Sequence, residues 1–402
     1  MVPARVASRS GSRSHSPGLR EWQIWETAST RLGFQTGELT AQGADQRRAY
    51  SAVLTCGLEN FFGNPAAADA LEDMIRRRKI PQTLLFSGPE GVGKATMARR
   101  FGAMLLEAAG ANAAAKIELD DLSLETNAAL IAGREKWPAE KRNEDPLFFS
   151  SHPDYVTFAP DGPMRQITIQ QMRFLKDRAQ LKPLKGDWRV FLIDSIDRAN
   201  EQAANSLLKV LEEPPSHLIV IMTARNPYDL LPTIRSRSVP FQLSRLNAGD
   251  MRAFVESRGL DHPERRISLA EGAPGLAVSI DLESYDRRRA AMLVLLQVAS
   301  GIEPFGAWLK HSESLAARRT EKLDLYLEVL YTLLGDVLRI AHGNASVRNG
   351  DIGAELNALA RRVSFDWLRA AVAHVDQLVE LVRRNIQKSL ALDAFAVELR
   401  SR

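Results

Sequence analysis

One stretch constrains the fold more than any other: Gly88-Pro89-Glu90-Gly91-Val92-Gly93-Lys94-Ala95-Thr96. An apolar run, Thr83-Leu84-Leu85-Phe86, precedes it, and a helical pattern from Met97 to Leu106 follows. Strand, glycine loop and helix in that order are the setting of a phosphate-binding P-loop. The glycines let the backbone curl so that its N–H groups converge on phosphate oxygens, and the helix N-terminus adds partial positive charge. Gly88, Gly91, Gly93, Lys94 and Thr96 are the candidate nucleotide contacts, with Lys94 placed to reach the outer phosphates. One part is out of place. The hydroxyl that holds magnesium should follow the lysine directly, yet that position is Ala95 and Thr96 comes one residue late.

The rest of the chain supplies what such a loop needs around it. Apolar runs at 155–158, 188–194 and 218–223 read as parallel strands buried on both faces. Helical patterns at 169–179 and 203–211 alternate with them, so the fold class is α/β with a doubly wound parallel sheet. Asn64 is placed to cap a helix that begins at Pro65. Residues 107–150 lose clear periodicity and read as a mobile insertion with one helix. After Phe241-Gln242-Leu243 the strands end. Short helices are expected at 248–258, 263–271 and 274–282, then long amphipathic ones at 286–299, 303–311, 314–342, 351–361, 364–384 and 388–400. The expected organisation is an N-terminal extension (1–57), a P-loop domain (58–243), a small helical lid (244–283) and an all-α C-terminal domain (284–402).

Composition adds limits. The chain has 402 residues, 45% of them hydrophobic, and a net charge of +4, which permits nucleic-acid contact without demanding it. A single cysteine, Cys56, excludes an intrachain disulfide and a cysteine-cage zinc site, and fits a reducing cytoplasm. No apolar run is long enough to span a bilayer. Residues 1–57 open with alternating Arg and Ser and no acid before Glu21, which reads as a disordered extension or a start codon placed too far upstream.

Two further positions carry chemistry. Asp194 ends the 188–194 strand, where an acid supports magnesium in hydrolysing P-loop proteins. Arg237, in Arg235-Ser236-Arg237-Ser238 ahead of the last strand, is either a surface arginine in a basic turn or a cation that reaches a phosphate on a neighbouring subunit. His152 and the pair Glu212-Glu213 read as structural, and Leu325, Leu327, Leu330, Tyr331 and Leu334 as helical core or subunit contact.

At this point the motifs carry a resemblance. Ser151-His152-Pro153-Asp154, the strand Val190–Asp194, Asn205-Ser206-Leu207-Leu208-Lys209-Val210-Leu211-Glu212-Glu213-Pro214-Pro215 and Thr233-Ile234-Arg235-Ser236-Arg237-Ser238 stand in the order seen in bacterial clamp loaders. From about residue 59 to its end, the chain resembles the AAA+ clamp-loader subunits of DNA polymerase III, within them the delta-prime branch. The resemblance implies an AAA+ P-loop domain, a lid and a C-terminal collar for assembly with gamma/tau and delta subunits. It implies a complex that loads the sliding clamp onto primer–template DNA. It makes Ser236-Arg237-Ser238 the counterpart of the Ser-Arg-Cys motif, with Arg237 as an arginine finger acting in trans. The water-activating glutamate after the strand acid falls at Ser195, and the sensor-2 arginine of the lid at Gly275. The resemblance therefore implies a stator that does not hydrolyse ATP, with Gly88–Thr96 and Asp194 an inherited site. ATP or ADP binding there stays open, and no zinc is expected. An active gamma/tau-type ATPase is the rival reading.

Overall fold

A computed structural model describes residues 57–58, 60–106, 113–317, 321, 323–344, 346–382 and 387–400. The N-terminal extension lies, but for Gly57, outside the described residues. Six strands form one sheet: β1 Thr83–Ser87, β2 Phe148–His152, β3 Tyr155–Phe158, β4 Arg189–Ile193, β5 Leu218–Ala224 and β6 Val239–Gln242, in the order β2-β3-β4-β5-β1-β6. All neighbours are parallel except β2 and β3. Every residue of β1, β3, β4 and β5 is buried, as strands covered on both faces must be.

Alternation along the strands divides the core in two. Leu84, Phe86, Val190, Leu192, Ile219 and Ile221 pack on helices α1 (Pro65–Arg76) and α2 (Lys94–Leu106). Leu85, Phe191, Ile193, Val220 and Met222 pack on the other face, with residues of the helices at Ile169–Ala179 and Glu201–Glu212. The doubly wound α/β sheet expected from the sequence is present.

Several local expectations are corrected. Residues 113–144 hold three helices rather than one: α3 Ala113–Glu118, α4 Glu125–Arg134 and α5 Ala139–Glu144. Charge fastens this segment more than apolar periodicity does. Arg134 is buried, donates to both Asp161 oxygens at 3.1 and 2.8 Å, and lies 4.6 Å from the Trp137 ring centre. The apolar contribution is a small cluster of Ile131, Leu147 and Ala159. Asn64 does not cap α1. It adopts a left-handed conformation (φ 53°), and its side chain accepts from the Ser244 N–H at 2.8 Å while donating to the Ser244 carbonyl at 3.1 Å. Strand β2 also went unread, because its burial is only partial and no apolar run marks it.

In chain order the remaining helices are α6 (Ile169–Ala179), α7 (Glu201–Glu212), α8 (Pro232–Arg235), α9 (Ala248–Ser257), α10 (Pro263–Ala270), α11 (Pro274–Ser279), α12 (Leu282–Ala299), α13 (Phe305–Ala317), α14 (Asp324–Ala341), α15 (Gly353–Arg362), α16 (Phe365–Val382) and α17 (Lys388–Arg400). Helices α9–α11 share a small core of Leu246, Met251, Val255, Ala270 and Ala277. Helices α12–α17 share a larger one around Trp308, whose indole N–H donates to Asp393 at 2.6 Å. The single helix expected over 314–342 is not formed: 314–317 close α13, and α14 starts at Asp324. Residues 55–402 form one compact unit, and among the described residues no helix is long and apolar enough to cross a membrane.

Glu271 joins the small helical group to the larger one. It ends α10 in a left-handed conformation and accepts from Arg339 at 2.7 Å and from Arg348. The Ser268 hydroxyl adds a bond to the Arg348 carbonyl at 3.0 Å. Partial burial would raise the Glu271 carboxyl, but the Arg348 and Arg339 guanidiniums hold it down at about 2. A carboxylate depressed in the folded state adds stability above its unfolded value of 4.5 and loses it as pH falls toward the folded value. Glu271→Gln is therefore expected to lower Tm at about pH 7, with a deficit that narrows steadily below about pH 4.5. Calorimetric scans of both proteins across that range check it, and a deficit constant with pH would refute it.

Candidate nucleotide site and the Arg237 turn

Strand β1 lies between β5 and β6, so the chain leaving it emerges among strand ends. Gly88 has φ 143°, and a Cβ there would stand 2.2 Å from the Leu243 carbonyl oxygen, so only glycine fits. Gly91 (φ 76°) and Gly93 (φ 97°) complete the curl, and α2 begins at Lys94. The Lys94 ammonium turns back on its own loop and donates to the Gly88 and Pro89 carbonyls at 2.8 and 2.7 Å. Burial lowers its pKa, and the charges of Asp194 and Asp197 oppose that shift.

Asp194 follows β4 directly. Its Oδ1 accepts from the Thr223 hydroxyl at 2.5 Å, and the same hydroxyl accepts from the Ser195 N–H at 2.8 Å. Burial raises the Asp194 carboxyl; the Thr223 hydrogen bond and the charges of Arg99 and Lys94 partly offset it. Ser195 is left-handed (φ 58°). Sequence reading missed Thr223, although a polar residue in the otherwise apolar strand Leu218–Ala224 was a usable signal. Asp197 acts on Lys94 through its charge, and its buried Oδ1 has no hydrogen-bond partner.

The start of α11, in the segment expected from the sequence as a lid, sits directly on the loop. The Gly275 N–H donates to the Gly91 carbonyl at 2.7 Å. A Cβ on Gly275 would lie 3.0 Å from that oxygen and 3.1 Å from the Gly91 Cα. From the other side, a Cβ on Gly91 would meet Leu276, and one on Gly93 would meet the Phe61 ring at 2.9 Å.

The arrangement fits a nucleotide only in part. The backbone curl and Lys94 suit phosphate. Ala95 offers a methyl where the sequence pattern calls for a hydroxyl, Ser195 offers no carboxylate, and a side chain on Gly275 would press on the Gly91 backbone. Among the described residues no three His, Cys, Asp or Glu side chains gather into a metal-binding group.

The structure therefore brings Gly88, Gly91, Gly93, Lys94 and Asp194 together, with Thr96 in the first turn of α2. Arg237 stands apart from them. Leu84 of β1 is in register with Val239 of the parallel β6, so Arg237 precedes the starting ends of the strands while Gly88 follows the finishing ends. Arg237 Nη1 donates to the Thr233 carbonyl at 3.0 Å, and Nη2 lies 3.0 Å from Glu212 Oε1. Ser238 is buried and donates to the Ile234 carbonyl at 2.8 Å. Buried Asp154 accepts from the Leu184 and Lys185 N–H groups, both at 2.7 Å, and its own N–H donates to His152 at 3.2 Å.

Residues 143–247, from the end of the three-helix segment to the start of the lid, match the family model for the DNA polymerase III delta subunit. Over 234 residues the chain is 29% identical to DNA polymerase III subunit delta' of Escherichia coli (strain K12), covering 57% of this chain and 68% of that protein. The chain is similar to subunits of DNA polymerase III. DNA polymerase III subunit delta' of Pseudomonas aeruginosa is 29% identical over 235 residues, 56% of this chain and 62% of that protein. DNA polymerase III subunit tau of E. coli is 28% identical over 230 residues, 55% of this chain and 32% of that protein. The motifs that carried the resemblance in the sequence all lie within residues 143–247.

Because the lid backbone already touches the loop, Gly275→Ala is expected to cost about 1–3 kcal/mol through overpacking. Urea unfolding of the full chain measures this, and a variant as stable as the parent would show that the lid yields freely.

Proposed function

We propose that this clamp-loader relative works as a non-hydrolysing stator, in the cytoplasm, within a complex with gamma/tau and delta subunits. In that complex Arg237 serves in trans at the nucleotide site of an adjacent ATPase subunit. The assembly opens the sliding clamp and loads it onto primer–template DNA, with helices α12–α17 as the collar.

The observation that carries this reading is the seating of Gly275 against Gly91, 2.7 Å from N–H to carbonyl oxygen. Where an active ATPase would extend an arginine from the lid toward its own nucleotide, this chain has backbone on backbone. Ala95 and Ser195 support the same reading at the metal and water positions. The loop then serves as an inherited fastening between sheet, helix and lid, and any ATP or ADP it holds is not turned over.

The rival reading, an active gamma/tau-type ATPase, draws on the similarity to tau subunits. The two readings part on turnover by the isolated chain. We expect no magnesium-dependent ATP hydrolysis above that of Lys94→Ala; hydrolysis that Lys94→Ala abolishes would establish the rival instead. For the finger, Arg237→Ala is expected to leave assembly intact and to slow ATP turnover by the reconstituted complex. A trans arginine is worth about 10³–10⁵ in rate at a single GTPase site, and the loss averaged over several sites in a ring is smaller. Unchanged turnover and clamp loading would remove Arg237 from the mechanism.

A further inference from the structure

We infer that Glu212 is the positioning residue for Arg237, fixing the guanidinium so that its remaining donors face outward; this deepens the trans-finger reading above and rests on it. Arg237 lies in the turn after α8, where its N–H donates to the Ile234 carbonyl at 3.2 Å. Two of its guanidinium nitrogens are engaged on the protein side, Nη1 by the Thr233 carbonyl and Nη2 by Glu212 Oε1, both at 3.0 Å. A guanidinium carries five N–H donors in one plane. Held by two acceptors, it keeps three for another acceptor, and a planar group of that kind suits phosphate oxygens.

The platform behind Glu212 is firm. Glu212 is the last residue of α7, whose Leu207, Val210 and Leu211 are buried in the same core as Ile234 of α8. Immediately beyond it, Gln82 at the root of β1 donates to the Pro215 carbonyl at 2.7 Å, tying the Pro214-Pro215 end of the motif to the sheet. A carboxylate in the last turn of a helix meets the negative end of the helix dipole and is disfavoured there. The Arg237 guanidinium offsets that cost. The side chains are 35% and 49% exposed, so the pair contributes little to stability and its effect lies in orientation. An arginine already restrained gives up less side-chain freedom on meeting its target. Arg235, two residues earlier, is held differently: its guanidinium stacks 5.0 Å from the ring centre of the exposed Tyr228.

The test is a double-mutant cycle in the reconstituted complex, using the full chain. Glu212→Ala is expected to lower kcat for ATP about two- to fivefold, the range of a half-exposed ion pair. The KM for ATP and the Tm of the chain should stay unchanged, and Glu212→Gln, which keeps an acceptor, should recover part of the loss. In an Arg237→Ala background Glu212→Ala should add nothing. An equal further loss in that background would overturn the inference, as would a Glu212→Ala complex of parental rate alongside a slowed Arg237→Ala complex. If Arg237→Ala itself left the rate unchanged, the finger reading would fall and this inference with it. Glu212→Gln preserves side-chain volume and gives a cycle of the same sign and smaller size should alanine disturb the end of α7.

Discussion

The contact between Gly91 and Gly275 governs how the parts of this molecule relate. At 2.7 Å the lid and the loop meet as two stretches of backbone, and a Cβ on Gly275 would lie only 3.0 Å from the Gly91 carbonyl oxygen. Such an approach favours glycine on both sides, and at Gly91 the positive φ adds a second reason for it. From there the connections run outward. Gly272, also left-handed (φ 79°), accepts from the Leu246 N–H at 2.7 Å, and a Cβ on it would strike the Leu246 carbonyl. Its neighbour Glu271 then reaches Arg339 of α14 and Arg348 in the connection that follows it. Backbone contact at one end and paired charge at the other hold the lid against both of its neighbours.

This has electrostatic consequences at the loop. Lys94 and Asp194 share a partly buried site in which each lacks the hydration its charge calls for, and each is favoured by the other. Thr223 takes the role of organiser by serving Asp194 and the Ser195 backbone with one hydroxyl. The polar groups at the strand ends are thus largely committed to one another. Arg237 belongs to a different region, before the starting ends of the strands, where its only near carboxylate contact described is a partly solvated one. The charges that hold the fold and the charge proposed to act on a partner are kept on different edges of one sheet.

Legibility in the sequence followed burial. β1, β4 and β5 were plain because both faces are covered and every position is apolar or nearly so. The P-loop was plain because its glycines answer to geometry that no other residue satisfies. What escaped was held by polar contacts. β2 is half-covered, and α3–α5 depend on Arg134 finding Asp161 across the fold, which no periodicity reveals. Asn64 preceded a proline and looked like a helix cap, but the left-handed turn sent its amide to Ser244, 180 positions away. Glu212 read as structural, and its pairing with Arg237 stayed hidden because that partner lies beyond a strand and a turn. Long-range polar pairs are set by topology, and a linear reading sees only their halves.

Strand β6 closes the sheet on one side, and its character bears on assembly. It is short, mostly exposed and carries Pro240, a residue with no amide hydrogen to offer an incoming strand. The edge is thereby a poor template for backbone pairing with another chain. Whatever settles beside it must be recognised through side chains, which can be released again without unzipping a sheet. A contact made there through side chains is reversible by construction.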